Sequence, residues 1–163
     1  LIYDISEIPI PLDDADAAPL LCSGIVGYRA LRRASLPPGG RLGLYGFGAS
    51  ANVVLQVAVA QGATVHVLTR DERAQRLARE LGAASVGGAY DSPPEPQLRS
   101  VTSNTRRLGR EFLDIAASFG VRATTHTYSL SRAQQALQDL KAGLFEGAAV
   151  LINDVTSRSG DRE

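Results

Sequence analysis

Residues 42–51 read LGLYGFGASA, and this stretch decides the fold. The apolar run Leu42–Tyr45 predicts a short strand of the kind that lies inside a parallel sheet. Apolar residues recur at helical spacing over residues 50–61, which predicts a helix directly after it. Between the strand and the helix, residues 46–51 have the G-x-G-x-x-G/A spacing of a loop that binds dinucleotides.

Each small residue of this loop answers a physical requirement. Gly46 permits a tight turn, Gly48 lets backbone N–H groups approach a pyrophosphate, and Ala51 lets the helix pack close to the strand. The start of the helix adds partial positive charge. The predicted cofactor-binding loop is Gly46, Phe47, Gly48, Ala49, Ser50 and Ala51. The alternative is a strand-to-helix turn that binds nothing.

The next segments repeat the order of strand and helix. Thr64–Thr69 alternates and is rich in β-branched residues, which predicts a second strand. Glu72–Leu81 then has a helical pattern, and Ala84–Val86 predicts a third short strand. This alternation predicts an α/β fold with a Rossmann-like parallel sheet and helices on both faces.

The end of the second strand carries the residues that choose between cofactors. An acid there accepts hydrogen bonds from the ribose hydroxyls of NAD, whereas an arginine accommodates the extra phosphate of NADP. Thr69 and Arg70 favour NADP, and both join the predicted cofactor site. Asp71 follows, and it either caps the next helix or reaches the ribose. The expected cofactor is NADP or NAD, with NADP favoured.

The alternating pattern breaks at the proline-rich segment Asp91–Pro96. Leu98–Thr102 follows at once as a predicted strand, which leaves no room for a crossover unit of about 30 residues. The sheet is therefore predicted to be incomplete. The remaining predicted elements are the helix Gly109–Phe119, the strand Ala123–Tyr128, a helix to Ala142 that opens with a capping box at Ser131 and Gln134, and the strand Gly147–Ile152.

These elements divide the chain into three parts. Residues 1–36 form a leading segment and a helix that precede the cofactor fold. Residues 37–152 form a shortened dinucleotide-binding domain, and residues 153–163 form a polar, disordered tail. The division predicts one folded domain.

Composition narrows the class of partner. The 163 residues contain 17 Lys and Arg and 17 Asp and Glu, so the formal net charge is zero. This balance predicts neither a nucleic-acid partner nor a membrane surface. No apolar run approaches the roughly 18 residues of a membrane-spanning helix. A single cysteine is compatible with a reducing compartment, and a cytoplasmic location is expected.

Three stretches resemble one known family. They are LDDADAAPLLCSGIVGYRALRRASLPPGGRLGLYGFGASA at residues 12–51, VHVLTRDERAQRLARELGA at 65–83 and SLSRAQQALQDLKAGLFEGAAVL at 129–151. They are similar to the cofactor-binding region of zinc-dependent alcohol dehydrogenases, in the medium-chain dehydrogenase/reductase family. The resemblance implies an oxidoreductase that transfers hydride between an alcohol and NAD(P). It also implies a truncated form, without the family's N-terminal catalytic domain and an internal segment.

The resemblance gives Cys22 a specific role. This cysteine matches the third protein ligand of the family's catalytic zinc, whose other two ligands come from the N-terminal domain. The alternative is a buried small apolar residue. His66 and His126 are expected to be structural or surface residues, and no catalytic residue is assigned. The zinc site is thus expected to be incomplete in this sequence.

Two readings of the function remain open. The first is an active oxidoreductase with a small-molecule alcohol or aldehyde as its substrate. The second is a catalytically inactive dinucleotide-binding module or a non-functional fragment. An exposed sheet edge would also favour self-association into a homo-oligomer.

Overall fold

The computed structural model of the chain describes residues 13–88, 91 and 105–153. Residues 1–12 of the predicted leading segment, the predicted strand Leu98–Thr102 and the predicted polar tail beyond residue 153 lie outside the described residues. The described elements are α1 (Asp14–Pro19), a π-helical segment (Leu20–Gly24), α2 (Ile25–Ala34), β1 (Arg41–Tyr45), α3 (Ala49–Ala60), β2 (Thr64–Leu68), α4 (Glu72–Glu80), β3 (Ser85–Gly87), α5 (Arg106–Phe119), β4 (Thr125–Ser129), a 3-10 turn (Leu130–Arg132), α6 (Ala133–Ala142) and β5 (Ala148–Ile152). None of these helices combines the length and the apolar character that crossing a membrane requires.

Three strands form a parallel sheet in the spatial order β1, β2, β3. The register pairs Arg41 with Thr64 at one end of β1 and Tyr45 with Leu68 at the other. Helix α3 connects the first two strands, and α4 connects the second to the third. The alternation of strand and helix is the one that the sequence predicts, and it confirms an α/β fold of partial Rossmann type.

Helices α3 and α4 both contact β2. On the helical side, Val65 and Val67 of β2 are buried in the same core as the inner residues of both helices. On the opposite side of the sheet, Arg41, Gly43 and Tyr45 are exposed. The sequence predicts helices on both faces, and in the described ranges the second face presents these three residues to solvent.

A second, separate pair of parallel strands is formed by β4 and β5. Thr125 lies opposite Ala148, and Ser129 lies opposite Ile152. Helix α6 links the two strands, and α1 contacts both of them. The hydroxyl of Thr125 donates to Oδ1 of Asp16 at 3.3 Å. This pair therefore packs against the beginning of the described chain.

Helix α5 begins one turn earlier than the sequence analysis predicts. The helical pattern predicts a start near Gly109, whereas the first helical residue is Arg106. The side chain of Thr105 accepts a hydrogen bond from the N–H of Leu108 at 3.3 Å and so caps the helix. An N-cap of this kind satisfies a donor that the helix itself leaves unpaired.

The predicted capping box at Ser131 and Gln134 is wrong. A 3-10 turn, Leu130–Arg132, precedes α6, and the N-cap residue Arg132 makes no side-chain capping hydrogen bond. The hydroxyl of Ser131 instead lies 2.6 Å from that of Ser129. The chain thus enters α6 through the 3-10 turn.

Helix α2 packs closely on α3 and α5. The rings of Tyr28 and Phe112 lie 5.6 Å apart between their centroids and are both buried. Gly27 lies where α2 meets α3. A Cβ added there would be 2.7 Å from Cγ2 of Val54 and 2.8 Å from the carbonyl oxygen of Ser50. The missing side chain therefore lets α2 lie directly against the first turn of α3.

Candidate functional site

The loop between β1 and α3 has open space where the sequence predicts a pyrophosphate. Gly46 has a φ of +81°, in the region that glycine adopts readily. A Cβ added at Gly46 or Gly48 would meet no heavy atom within 4 Å. Gly48 is the N-cap residue of α3 and has an extended backbone. The backbone at the start of α3 is therefore accessible.

The first turn of α3 supplies hydrogen-bond donors at this point. The first N–H groups of a helix have no partner within it, and Gly48 has no side chain that could cap them. Ala49, Ser50 and Ala51 are the first three helical residues, and all three are half-buried. The positive end of the helix dipole lies at the same place. This arrangement suits an anion such as a phosphate group.

Two of the six predicted loop residues support the loop. The N–H of Gly46 donates to the carbonyl oxygen of Leu68 at 2.8 Å, so this amide is occupied within the fold. The side chain of Phe47 is buried and belongs to the core. Together they fix the loop to the end of β2 on one side and to the core on the other.

Thr69, Arg70 and Asp71 follow the end of β2, beside the glycine loop. Thr69 is buried, and its N–H donates to the carbonyl oxygen of Gly87 at 3.1 Å. Arg70 is exposed. Oδ1 of Asp71 accepts the N–H of Arg73 at 2.7 Å and caps α4. The sequence allows Asp71 either to cap α4 or to reach the ribose, and in the structure its side chain caps α4.

Glu146 joins this edge from a distant part of the chain, and sequence reasoning missed it. Its carboxyl group lies close enough to Asp71 for the charge of that side chain to act on it. Burial, followed by the charge of Asp71, holds the pKa of Glu146 above its ordinary value, while Arg73 acts in the opposite direction. The guanidinium of Arg73 donates to the carbonyl oxygen of Gly143 at 3.2 Å. The loop before β5 therefore contacts the start of α4 through Arg73.

Cys22 lies in the π-helical segment and is exposed. Pro19 ends α1 directly before this segment, and its ring has no N–H to donate to the helix. Exposure does not agree with the alternative of a buried apolar cysteine. Within the described ranges, no three His, Cys, Asp or Glu side chains are grouped so that they could hold a metal ion. The described residues therefore do not complete a zinc site around Cys22.

The two histidines lie apart from the glycine loop. Nδ1 of His66, on β2, lies 2.7 Å from the hydroxyl of Ser85 on β3. The ring of His126, on β4, packs on Phe145 with a centroid distance of 5.1 Å. Both have contacts within the fold, as expected for structural histidines.

No protein-family model matches the chain. The chain is 43% identical to the probable alcohol dehydrogenase AdhA of Mycobacterium tuberculosis, over 90% of this chain and 57% of that protein. The chain thus spans little more than half the length of this curated relative. The alignment has 196 positions, whereas 90% of 163 residues is about 147, so about 49 positions have no counterpart here.

Solved structures with the same fold are numerous. Acetophenone reductase of Geotrichum candidum, in complex with NAD, has a TM-score of 0.73 at 18% identity, over 88% of this chain and 57% of that one. CAD of Helicobacter pylori, complexed with NADP(H), has a TM-score of 0.71 at 18% identity, over 91% and 58%. The chain therefore shares the α/β fold of these structures. Its sequence is similar to part of the alcohol dehydrogenases that it matches.

Proposed function

We propose that this chain is the nicotinamide dinucleotide-binding region of an alcohol dehydrogenase-like oxidoreductase, which transfers hydride between an alcohol and NAD(P). One observation carries the proposal. Open space lies above Gly46 and Gly48, at a helix start without a side-chain cap in the described chain, beside the end of β2. The homology to an alcohol dehydrogenase and the likeness to structures with bound NAD and NADP(H) support the same cofactor class.

The chain's own residues bind and orient the cofactor in this proposal. The N–H groups of Ala49, Ser50 and Ala51 donate to the diphosphate. Thr69 and Arg70 lie at the ribose end, where Arg70 can pair with a 2′-phosphate. The bound nicotinamide supplies the hydride acceptor of the reaction. We assign no catalytic acid or base within the chain.

For zinc, the proposal names only one ligand, Cys22. Cys22 stays the predicted zinc ligand, and its exposure leaves the thiol accessible. A catalytic zinc site needs three protein ligands, and the described residues do not bring two more to Cys22. No step of the proposed reaction is therefore derived from the metal. An alcohol or aldehyde substrate, a cytoplasmic location and self-association stay predictions.

Titration calorimetry with NAD and NADP tests the binding site. We expect Gly48→Val to weaken binding more than about tenfold, because the side chain enters the phosphate space and removes charge-assisted hydrogen bonds of about 1.5–3 kcal/mol each. The fold should survive, since a Cβ at Gly48 meets no heavy atom. Gly43→Val is the matched control, because Gly43 is exposed on the outer face of β1. Equal affinity in both variants would contradict the proposal.

Turnover separates the active enzyme from the alternative of an inactive binding module. The protein is incubated with a primary alcohol and NAD(P), with and without added zinc, and absorbance of the reduced nicotinamide is followed. A rise above the no-protein control supports the oxidoreductase. Binding without any rise supports the inactive module, and the absence of binding contradicts both.

A further inference from the structure

A polar side chain lies in the buried part of α3. Asn52 is 2% exposed, and the residues that follow it, Val53, Val54 and Leu55, belong to the apolar core. Asparagine is a weaker helix former than leucine, and burial of its amide is unfavourable unless the polar atoms are hydrogen-bonded. A buried asparagine at this position therefore needs partners of its own.

The side-chain amide of Asn52 has a partner for each of its polar atoms. Nδ2 donates to Oγ1 of Thr124 at 3.2 Å, and Oδ1 accepts from Nε2 of Gln56 at 2.9 Å. Gln56 lies one turn further along α3. Its Nε2 also donates to the carbonyl oxygen of Arg122 at 2.8 Å, and its Oε1 accepts the N–H of Arg122 at 3.1 Å. Because Gln56 donates to Oδ1 of Asn52, the donor Nδ2 is directed at Thr124.

The segment between α5 and β4, which these two amides contact, is itself fixed in the fold. Val121 is buried in the core, and its N–H donates to the carbonyl oxygen of Ala116 at 2.9 Å. The carbonyl oxygen of Thr124 accepts the N–H of Ala148, the first residue of β5, at 2.9 Å. Thr124 is therefore a firm point against which α3 is held.

Asn52 also closes the first turn of α3. Its N–H donates to the carbonyl oxygen of Gly48 at 3.0 Å, which is an i to i−4 bond from the N-cap residue. Ala49, Ser50 and Ala51 have small side chains and are half-buried, so Asn52 is the first fully buried residue of the helix. The position of the three preceding N–H groups in the fold therefore depends on where Asn52 is held.

We propose that Asn52 is a positioning residue for the cofactor: anchored on Thr124 and oriented by Gln56, it aligns the first turn of α3 with the diphosphate. The inference rests on the proposed function and deepens it, because it assigns the alignment of the phosphate donors to a buried amide. Donors that are aligned before binding avoid the cost of ordering them when the ligand arrives. The same hydrogen bonds connect the cofactor helix to the segment that leads into β4.

Thr124→Val tests this anchor, because valine has the shape of threonine and lacks the hydroxyl that Asn52 uses. We expect the dissociation constants for NAD and NADP in titration calorimetry to rise about five- to tenfold, by the same factor because both nucleotides carry the diphosphate. Thr124→Ser keeps the hydroxyl and should stay within about twofold of wild type. Val57→Ala is the control for general destabilisation, because Val57 is buried in the second half of α3. It should lower the melting temperature and leave both dissociation constants within about twofold of wild type.

Amide hydrogen exchange of the nucleotide-free chain gives a second measurement, which does not depend on the cofactor. The N–H of Asn52 should exchange about tenfold faster in Thr124→Val, because the first turn of α3 opens more often without its anchor, and at the wild-type rate in Thr124→Ser. Unchanged exchange or unchanged nucleotide affinity in Thr124→Val, or an equal loss of affinity in Val57→Ala, overturns the role of Asn52 and leaves the cofactor site standing. If the wild-type chain binds neither nucleotide, the proposed function and the role of Asn52 both fall.

Discussion

The substitution Gly27→Ala tests the contact between α2 and the start of α3. The added Cβ would lie 2.7 Å from Cγ2 of Val54 and 2.8 Å from the carbonyl oxygen of Ser50. The valine side chain can change its rotamer, whereas the carbonyl belongs to the backbone and moves only with α3. The strain therefore falls on the turn that carries the proposed phosphate donors.

Two opposing contributions decide the sign of the effect. An extra methyl group in a well-packed core costs about 1–3 kcal/mol, and a backbone obstacle favours the upper part of that range. Alanine is better than glycine inside a helix by about 1 kcal/mol. We expect Gly27→Ala to lower the free energy of unfolding by about 1–2 kcal/mol. It should also weaken NAD(P) binding, because the start of α3 must shift.

Urea denaturation measures this free energy, and the slope with urea concentration verifies that the unfolding reaction is the same in each protein. The control is Ala30→Gly, at a half-buried position of α2, where helix propensity alone predicts a loss of about 1 kcal/mol. If Gly27→Ala instead stabilises the protein by about 1 kcal/mol, propensity decides and the argument from close packing is refuted.

Two further predictions concern the loop before β5. Gly147→Ala should lower the free energy of unfolding in urea by about 2–4 kcal/mol, because the position combines a positive φ with a collision at Thr124. Gly143→Ala is the control: it has a positive φ but open space around it, so it should cost only about 1–2 kcal/mol. Equal losses in the two variants would contradict the collision. The raised pKa of Glu146 means that the folded chain binds this proton more tightly than the unfolded chain. Its stabilising contribution is full below the unfolded pKa and is lost as the pH rises through the folded pKa, so the melting temperature of Glu146→Gln should rise relative to wild type as the pH rises from about 4. A constant difference as the pH rises would contradict the raised pKa of Glu146.

The glycine loop and its flanking elements could be predicted from local sequence. The apolar run, the glycine spacing and the helical period occupy adjacent residues, and each reflects a backbone preference that acts within a few residues. The same holds for α4, where Asp71 precedes the helical pattern and caps it as a short acidic side chain does. The parallel order of β1, β2 and β3 follows from the alternation of strands and helices.

Helix starts were harder to predict, because a capping residue acts only if its backbone takes the right conformation. Thr105 has an extended backbone and caps α5, although the apolar pattern becomes clear only further along the helix. Ser131 and Gln134 have the residue types and the spacing of a capping box. The 3-10 turn before α6 places Ser131 beside Ser129, and Arg132 is the N-cap residue of α6 instead.

The sequence by itself determined the strand, the glycine loop and the helix that form the proposed cofactor site, because neighbouring residues impose those conformations on one another. Only the tertiary structure decided which distant groups lie against these elements and their neighbours. Gly27 meets Ser50 through the packing of α2 on α3, and Arg73 meets Gly143 where the loop before β5 packs on α4. Contacts between segments far apart in the chain depend on how whole elements pack, and no local pattern encodes that.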